Sequence, residues 1–535
     1  MGGGRTAYGL VGRRGTLASE RSRAPCVEGA HTVSENAPGV LGPKVAAALV
    51  FGASAAVLVV ELVSLRLLAP YLGLTLETNT MVIGIALAAI ATGAWLGGKA
   101  ADGANPRRLL GPLLAVSGVA VSLMPFVVRG AGEVAGASVI LVAAFAILVP
   151  GALLSAVSPI VAKLRLTDLA ETGTVVGSLS GIGTVGAIAG TVLTGFVFVT
   201  AFPVSLVLVG LGVLLVVAAV AVEVHARRLH DRDAVVSRAV LPIALLLPGA
   251  LGAAWGPGSC DAETVYHCAQ VVPDPNRAEG RTLVLDGVRH SYVDLADPTH
   301  LEFEYVQALA SVADTAFPAG EARAAYHLGG GGLTLPRYLA EMRPGTTSVV
   351  SEIDRGVLDV DVERLGLETG PDLDVRIEDG RLGIRRIGAA SQDLVIGDAF
   401  GGVTIPWHLT TREAMVEVDR VLKPGGVYAA NLIDFGPMSF VGAEVTTLQT
   451  VFDHVVLAAE SETIAKERGS GGNVVVVASD APVDVAALGA RLAERDLGWE
   501  VIEGAALDAW VGDAMVLTDD HAPVDQLVTL FSSPR

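Results

Sequence analysis

The second half of this 535-residue chain contains few basic residues. Residues 1–256 carry 17 Lys and Arg against 12 Asp and Glu, a net charge of +5; the whole chain has a net charge of −19, which leaves −24 on residues 257–535. Nucleic acid is therefore not expected as a partner, because binding to phosphates requires a basic face. Two interpretations of the acidity stay open, attraction of a small cationic substrate and improved solubility.

The start of the chain lacks the apolar core of a secretory signal. Residues 1–43 contain five arginines and no apolar run long enough for such a core, so we expect a disordered cytoplasmic tail and no cleaved signal peptide. The chain also has no evident fixed-period repeat and no ligand spacing typical of a closed metal site. No metal is expected.

Long uncharged apolar runs are abundant between residues 44 and 256. Because a helix needs about 20 apolar residues to cross a bilayer, these runs predict an α-helical, multi-pass membrane domain embedded in the lipid bilayer. Seven spans are expected, near 44–68, 79–98, 109–128, 134–162, 175–199, 202–222 and 239–256. The seventh is short and contains Pro242 and Pro248, so an interfacial or re-entrant segment is the alternative.

Basic residues follow the even-numbered spans. They are Lys99, Arg107, Arg108, Lys163, Arg165, Arg227, Arg228, Arg232 and Arg238, whereas the odd-numbered exits carry only Arg129. By the positive-inside rule, the N-terminus of this cell-membrane protein is cytoplasmic. Seven spans would place the C-terminal half outside, and six would leave it inside. Outside the cytoplasm Cys260 and Cys268 could form a disulfide, and inside it free thiols are expected; the sequence leaves the disulfide open.

The chain after residue 256 indicates an α/β domain. Short β-type runs over 264–295 predict a small antiparallel subdomain, assigned to 257–320. Over 321–535 strands and helices alternate, which predicts a doubly wound parallel sheet with ligands at the C-terminal ends of its strands. The expected strands lie near 324–328, 347–352, 373–377, 393–397 and 426–432, and two later runs, 454–460 and 473–479, would close the sheet.

A glycine turn follows the first of these strands, in the sequence AAYHLGGGGLTLPRYL from Ala324. Glycine permits close approach of the backbone to a ligand, and the next helix offers free N–H groups and the positive end of its dipole. The second strand ends in Glu352 and Asp354, about twenty residues on, where a carboxylate usually holds a nucleoside ribose. We therefore expect a nucleoside site; a structural turn with surface acids is the alternative.

Two further carboxylates end the third and fourth strands. Asp379 lies in IEDGR and Asp398 in LVIGDAFGG, so both should face the crevice beside the glycine turn. One carboxylate in such a site can accept from an exocyclic amine, and another can deprotonate an attacking ammonium group. A turn or helix-cap aspartate is the alternative for each.

Residues 264–535 resemble the spermidine synthase, or polyamine aminopropyltransferase, family, and the fusion to transmembrane helices is similar to membrane-fused spermidine synthase-like proteins of bacteria. The motifs that carry the resemblance are LDGVRHSY, HLEFEYV, the glycine turn, SEID, EDG, GDAF and LTTREAMVEVDRVLKPGGV. The resemblance implies a methyltransferase-like (Rossmann-like) sheet. It also implies that decarboxylated S-adenosylmethionine is bound as co-substrate and that its aminopropyl group is transferred to putrescine or a related cationic amine.

The resemblance assigns roles position by position. Gly329, Gly330 and Gly331 would line the nucleoside co-substrate, Glu352 would hold the ribose with Asp354 beside it, and Asp379 would hold the adenine. Asp398 would be the catalytic base. Tyr305 would face the substrate, and His290 stands where the family usually has a glutamine of the substrate site.

The chain departs from the family at four places. Gly332 and Leu333 replace the Asp-Gly that ends the usual glycine loop, the loop after Asp398 lacks the second carboxylate, and His290 and the run from Tyr305 to Gln307 differ. Two other functions therefore stay open: a membrane transport or sensing protein whose degenerate domain only binds a ligand, and a methyltransferase on an unknown acceptor. The sequence leaves the oligomeric state open, a homo-oligomer included.

Overall fold

The structure is a computed structural model of the chain. It describes residues 41–529 except 73–75, 104, 133–137, 167–170, 229–259, 403 and 468–469. The expected N-terminal tail and the expected seventh span, 239–256, lie outside these residues.

Long helices form the N-terminal half of the described chain. They are α1 (Pro43–Leu72), α2 (Leu76–Gly103), α3 (Leu110–Gly132), α4 (Ser138–Ser155), α5 (Val157–Arg165), α6 (Thr172–Leu193), the short α7 (Val199–Ala201) and α8 (Val204–Arg228). Six stretches of this part are long and apolar enough to cross a membrane. They match the first six expected spans, and the fourth is divided into α4 and α5 around Ala156.

Small residues bring α6 close to α1. A Cβ atom added to Gly186 would lie 2.3 Å from the carbonyl oxygen of Phe51, and one added to Gly190 would lie 2.5 Å from that of Ala55. Such contacts are shorter than any side chain tolerates, so glycine allows the two backbones to approach. Close packing of α6 on α1 therefore depends on these small residues.

A small antiparallel sheet opens the C-terminal half. Its strands are β1 (Ala262–Glu263), β2 (Cys268–Pro273), β3 (Gly280–Leu285) and β4 (Val288–Asp294), paired in chain order. The turn between β3 and β4 uses Asp286 and Gly287, both at positive φ, as a two-residue hairpin requires. This subdomain agrees with the sequence prediction.

The main sheet has eight strands in the order β12-β10-β11-β9-β8-β5-β6-β7. They are β5 (Ala324–Leu328), β6 (Thr347–Glu352), β7 (Leu373–Ile377), β8 (Gln392–Gly397), β9 (Leu422–Phe435), β10 (His454–Glu460), β11 (Gly471–Ser479) and β12 (Trp499–Glu503). Strands β5 to β9 are parallel, and β10 to β12 pair antiparallel. The sheet is therefore mixed, and its edge strand β12 is absent from the sequence prediction.

Helices cover both faces of this sheet. They are α9 (Glu304–Ala316), α10 (Thr334–Met342), α11 (Arg355–Arg364), α12 (Gly380–Ile384), α13 (Arg412–Val421), α14 (Ser439–Gln449), α15 (Ser461–Ile464), α16 (Val485–Glu494), α17 (Gly504–Val511) and α18 (Val524–Leu527). The chain leaves β5 toward β6 and returns to β8 on its other side. This reversal opens a crevice at the C-terminal ends of β5 and β8, where open α/β sheets bind ligands.

Candidate active site

The glycine turn lies directly against the loop that follows β8. Gly329 has a φ of +96°, and its N–H donates to the carbonyl of Ser351 at 3.0 Å. A Cβ atom at Gly329 would lie 2.2 Å from the carbonyl oxygen of Asp398. Both the left-handed backbone and this contact require glycine, and they bring the two strand ends together.

The carboxylate of Glu352 fastens this turn to β6. The Gly330 N–H donates to its Oε2 at 2.8 Å, and the Asp354 N–H donates to its Oε1 at 2.7 Å. Burial raises the pKa of Glu352, and the two backbone hydrogen bonds oppose that shift. The side chain is therefore fixed beside the glycine turn. Its role toward a ribose stays a prediction.

The second half of the glycine turn is hydrogen-bonded to a carboxylate from a later helix. Gly332 has a φ of +76°, and its N–H lies 3.1 and 3.2 Å from the two carboxylate oxygens of Asp361 on α11. Burial raises the pKa of Asp361 well above its usual range. Leu333, which is buried, precedes α10 in the left-handed conformation. Gly331 stands free of close contacts, since the nearest atom to an added Cβ is Leu283 Cδ2 at 3.7 Å.

Asp354 is fully buried and serves the fold. Its Oδ1 caps α11 by accepting from the Gly356 N–H at 2.9 Å. Its Oδ2 accepts from the Thr264 hydroxyl and from the Tyr266 N–H. Both oxygens are thus engaged by protein donors, and the residue joins the small sheet to α11. A nucleoside contact from Asp354 stays an untested prediction.

Asp379 lies at the start of α12, at the edge of the crevice. Its Oδ1 accepts from the Leu382 N–H at 3.0 Å, and its Oδ2 lies 2.9 Å from Nε2 of His408. The carboxylate is about one-quarter exposed. It therefore combines a helix-cap contact with a partly open oxygen and a histidine neighbour.

Asp398 ends β8 at the centre of the crevice. Its N–H donates to the Leu328 carbonyl at 2.9 Å, and its Oδ1 accepts from Nδ2 of Asn431 at 2.9 Å. Burial raises the pKa of Asp398 to about 6, although hydrogen bonds from Asn431 and Tyr305 favour the ionised form. A carboxyl group with such a pKa can accept a proton near neutral pH and release it again.

Tyr305 lies beside Asp398 and next to the backbone of His290. The Tyr305 hydroxyl lies 3.1 Å from the carbonyl of His290, to which it can donate, and it also faces the Asp398 carboxylate. Burial and the neighbouring charge of Asp398 raise the pKa of Tyr305 well above its usual value. Burial, aided by repulsion from His267, lowers the pKa of His290 to about 4. At neutral pH both groups are therefore uncharged.

Asn431 is a site residue that the sequence prediction omits. It lies in β9, is 2% exposed, and accepts from Nδ2 of Asn473 at 2.9 Å while it donates to Asp398. The two asparagines form a chain that fixes the orientation of the Asp398 carboxylate. A polar residue within the apolar run VYAANLI was the available signal. Over the residues that the structure describes, no group of three His, Cys, Asp or Glu side chains is arranged to hold a metal ion.

Two curated proteins are similar in sequence to the C-terminal half of the chain. A protein of Bifidobacterium longum described as a probable polyamine aminopropyl transferase is 30% identical over 285 residues, or 50% of this chain and 61% of the relative. A polyamine aminopropyltransferase of Vibrio vulnificus is 33% identical over 127 residues, or 23% of this chain and 42% of the relative. The C-terminal half of the chain is thus similar to proteins named as aminopropyltransferases, and we refer to it as the spermidine synthase-like domain. No family model matches.

A solved structure is also similar to the spermidine synthase-like domain. It is a probable spermidine synthase from Corynebacterium glutamicum, 25% identical, with a TM-score of 0.45; the match covers 51% of this chain and 98% of that one. The chain spans 61% and 42% of the lengths of the two curated relatives. The activities in their names therefore describe those proteins.

Proposed function

We propose that the protein is a membrane-anchored aminopropyltransferase. It would transfer the aminopropyl group of decarboxylated S-adenosylmethionine to putrescine or a related amine. The two relatives that match the C-terminal half bear polyamine aminopropyltransferase names. The six long apolar helices that precede this half support the membrane anchor, and the arginine-rich loops support a cytoplasmic N-terminus.

The observation that carries the proposal is the position of Asp398. Its carboxyl group, directly after β8, has a pKa raised to about 6, and its backbone carbonyl lies against Gly329 of the glycine turn. A nucleoside held on the turn and Glu352 would bring its sulfonium group toward this carboxyl. An acceptor amine entering past Tyr305 would meet the same group.

The transfer is a substitution at carbon. The acceptor ammonium first gives a proton to the Asp398 carboxylate, which yields a neutral amine. The nitrogen lone pair then attacks the aminopropyl carbon bonded to sulfur; the C–N bond forms as the C–S bond breaks, and its electron pair goes to sulfur. Methylthioadenosine leaves as a neutral thioether. The protein supplies orientation, exclusion of water and a proton acceptor.

The neutral surroundings of Asp398 bear on the acceptor. Tyr305 and Asn431 both offer hydrogen bonds to the Asp398 carboxylate, and neither carries a negative charge at neutral pH. A diamine with both nitrogens charged would therefore find one carboxylate near its reacting end. Longer or less charged amines are reasonable alternatives to putrescine within the same reaction.

The test is product analysis by mass spectrometry. Detergent-purified protein is mixed with decarboxylated S-adenosylmethionine and putrescine, cadaverine or spermidine, and the Asp398→Asn variant is treated alike. We expect an aminopropylated amine and an equal amount of methylthioadenosine from the wild type alone. Binding of methylthioadenosine without any product would contradict the transfer, and methylated product from S-adenosylmethionine would favour the methyltransferase alternative.

A further inference from the structure

The spermidine synthase-like domain contacts one end of the helix bundle through polar side chains that are mostly partly buried. Arg66, near the end of α1, donates from Nη2 to the carbonyl of Thr264. Arg129, near the end of α3 and 5% exposed, forms an ion pair with Glu263 in β1. Buried ion pairs tolerate little misplacement, because an unpaired buried charge is costly. The two arginines therefore fix the domain against this end.

Two more helix ends reach the same domain. At the start of α8, the Ser205 hydroxyl donates to Oε1 of Glu263 at 2.8 Å and lies 2.9 Å from Arg129. At the start of α2, the Leu76 N–H donates to the Asp525 carboxylate at 2.9 Å. These contacts come from the connections between spans one and two, three and four, and five and six. All of them lie at a single end of the bundle.

The opposite end of the bundle carries the basic loops. There Lys163 pairs with Asp102 at 2.8 Å, and Arg165 donates to the carbonyl of Leu41 at the start of the first span. The other basic residues at this end by position in the chain are Lys99, Arg107, Arg108, Arg227 and Arg228. An excess of Lys and Arg in short loops marks the cytoplasmic side.

We infer that the spermidine synthase-like domain lies on the extracytoplasmic side of the membrane. It docks on the end of the bundle that is opposite to the basic loops. This inference goes beyond the proposed reaction and needs only the membrane anchor on which that proposal also rests.

The course of the chain agrees with this sidedness. Helix α8 ends at Arg228 on the basic side, and Cys260 re-enters the structure beside β1 on the other side. Because Arg228 and Cys260 lie on opposite sides, the segment between them must cross the membrane an odd number of times, which makes the total number of spans odd. The apolar run 239–256, which lies outside the described residues, is the sequence candidate for that seventh crossing. A six-span arrangement would place both ends on the cytoplasmic side.

An independent observation is the disulfide between Cys260 and Cys268. It joins the start of the domain to β2, next to the docking contacts of Glu263 and Thr264. Disulfides persist in oxidising compartments and are rare in the cytoplasm. The covalent bond and the docking geometry thus indicate the same side.

Sidedness also bears on the source of the substrates. A domain outside the cytoplasm takes its amine and its sulfonium nucleoside from that side. If the nucleoside is formed in the cytoplasm by a decarboxylation, an export step must come between that reaction and the transfer. The strongly acidic second half would favour local accumulation of cationic amines.

The test compares two single cysteines in the full-length chain. Glu500→Cys lies on the exposed edge strand β12, and Asn105→Cys lies in the exposed loop between α2 and α3. Each is made with Cys26→Ser, so that the other cysteines are the disulfide pair. Intact cells or spheroplasts are treated with a membrane-impermeant maleimide, and permeabilised cells show that both sites react.

We expect intact cells to label Glu500→Cys and to label Asn105→Cys only after permeabilisation. Six spans place the two positions on one side, so equal behaviour, labelled or protected, would overturn the inference. Protection of Glu500→Cys with labelling of Asn105→Cys would overturn it as well. The labelling pattern does not depend on turnover. A protein with this topology and no transferase activity would leave the sidedness intact and refute only the proposed reaction.

Discussion

The two edges of the candidate active site are built differently. On the nucleoside edge, Gly329 and Gly330 fix the backbone, and the carboxylate of Glu352 is engaged by two backbone N–H groups. On the acceptor edge, Asp398 has neutral side-chain neighbours, Asn431 and Tyr305, and a pKa raised to about 6. In the proposed reaction, the first edge would hold the nucleoside in place and the second would accept a proton.

This difference predicts separable effects of substitution. Changes on the nucleoside edge should weaken binding of the nucleoside, since the backbone shape there defines the space for it. Changes on the acceptor edge should slow the chemical step and leave nucleoside affinity intact. Variants that mix the two effects would show that the edges act as one unit.

The largest effect is expected from Asp398→Asn. An amide cannot accept the proton of the acceptor ammonium, so kcat should fall by about 10²- to 10⁴-fold. Calorimetry with methylthioadenosine should give an unchanged affinity. Asp359→Asn, an exposed carboxylate on α11, is the matched control and should behave as wild type. Loss of methylthioadenosine binding in Asp398→Asn would contradict the proposed separation of the nucleoside edge from the acceptor edge.

Gly331→Ala tests the nucleoside edge without damaging the fold. Its Cβ atom would lie 3.7 Å from Leu283, an ordinary contact, but it would project into the space beside the turn. We expect methylthioadenosine affinity to fall about tenfold, or ~1.4 kcal/mol, with unchanged thermal stability. Gly489→Ala on α16, where an added Cβ meets no atom within 4 Å, is the control. Unaltered affinity in Gly331→Ala would remove Gly331 from the ligand site.

The pH profile sharpens the role of the acceptor edge. Asp398 must be ionised to accept a proton, so kcat/KM should fall as the pH drops through about 6. The Asn431 amide favours the ionised carboxylate, so Asn431→Ala should move this acidic limb to higher pH. Asn276→Ala, at an exposed loop position, should leave the limb in place. A limb that does not respond to Asn431→Ala would mean that another group titrates.

The smallest effect is expected from Tyr305→Phe. Its hydroxyl also favours the ionised form of Asp398, so its loss should move the acidic limb upward in the same direction. A hydrogen bond of this kind contributes about 0.5–1.5 kcal/mol, and kcat should fall by about two- to tenfold. Nucleoside affinity should not change. A larger loss of nucleoside affinity than of kcat would place Tyr305 on the other edge.

The sequence predicts most of the fold because its signals are local. The lengths of the apolar runs predict the first six spans, and the alternation of strands with helices predicts β5 to β8 almost to the residue and the central part of β9. The glycine turn and the acids at the strand ends also follow from chain order. Strand β12 is not predicted, because it has only five residues and no strong alternation of apolar and polar residues.

The remaining features depend on contacts between distant parts of the chain. Asp354 follows β6 where a ribose ligand is expected, yet both of its oxygens are engaged by Thr264, Tyr266 and its own helix. Asn431 reaches Asp398 only because β8 and β9 are neighbours. Docking of Glu263 on Arg129 likewise has no local signature in the sequence.

The most direct measurement of the whole account uses sealed, right-side-out membrane vesicles that contain the full-length protein. Decarboxylated S-adenosylmethionine and an acceptor amine are added outside, and aminopropylated amine is measured before and after permeabilisation with detergent. The account predicts product outside the sealed vesicles at a rate that detergent changes little. Product that forms only after permeabilisation would contradict the sidedness, and absence of product under both conditions would contradict the aminopropyl transfer.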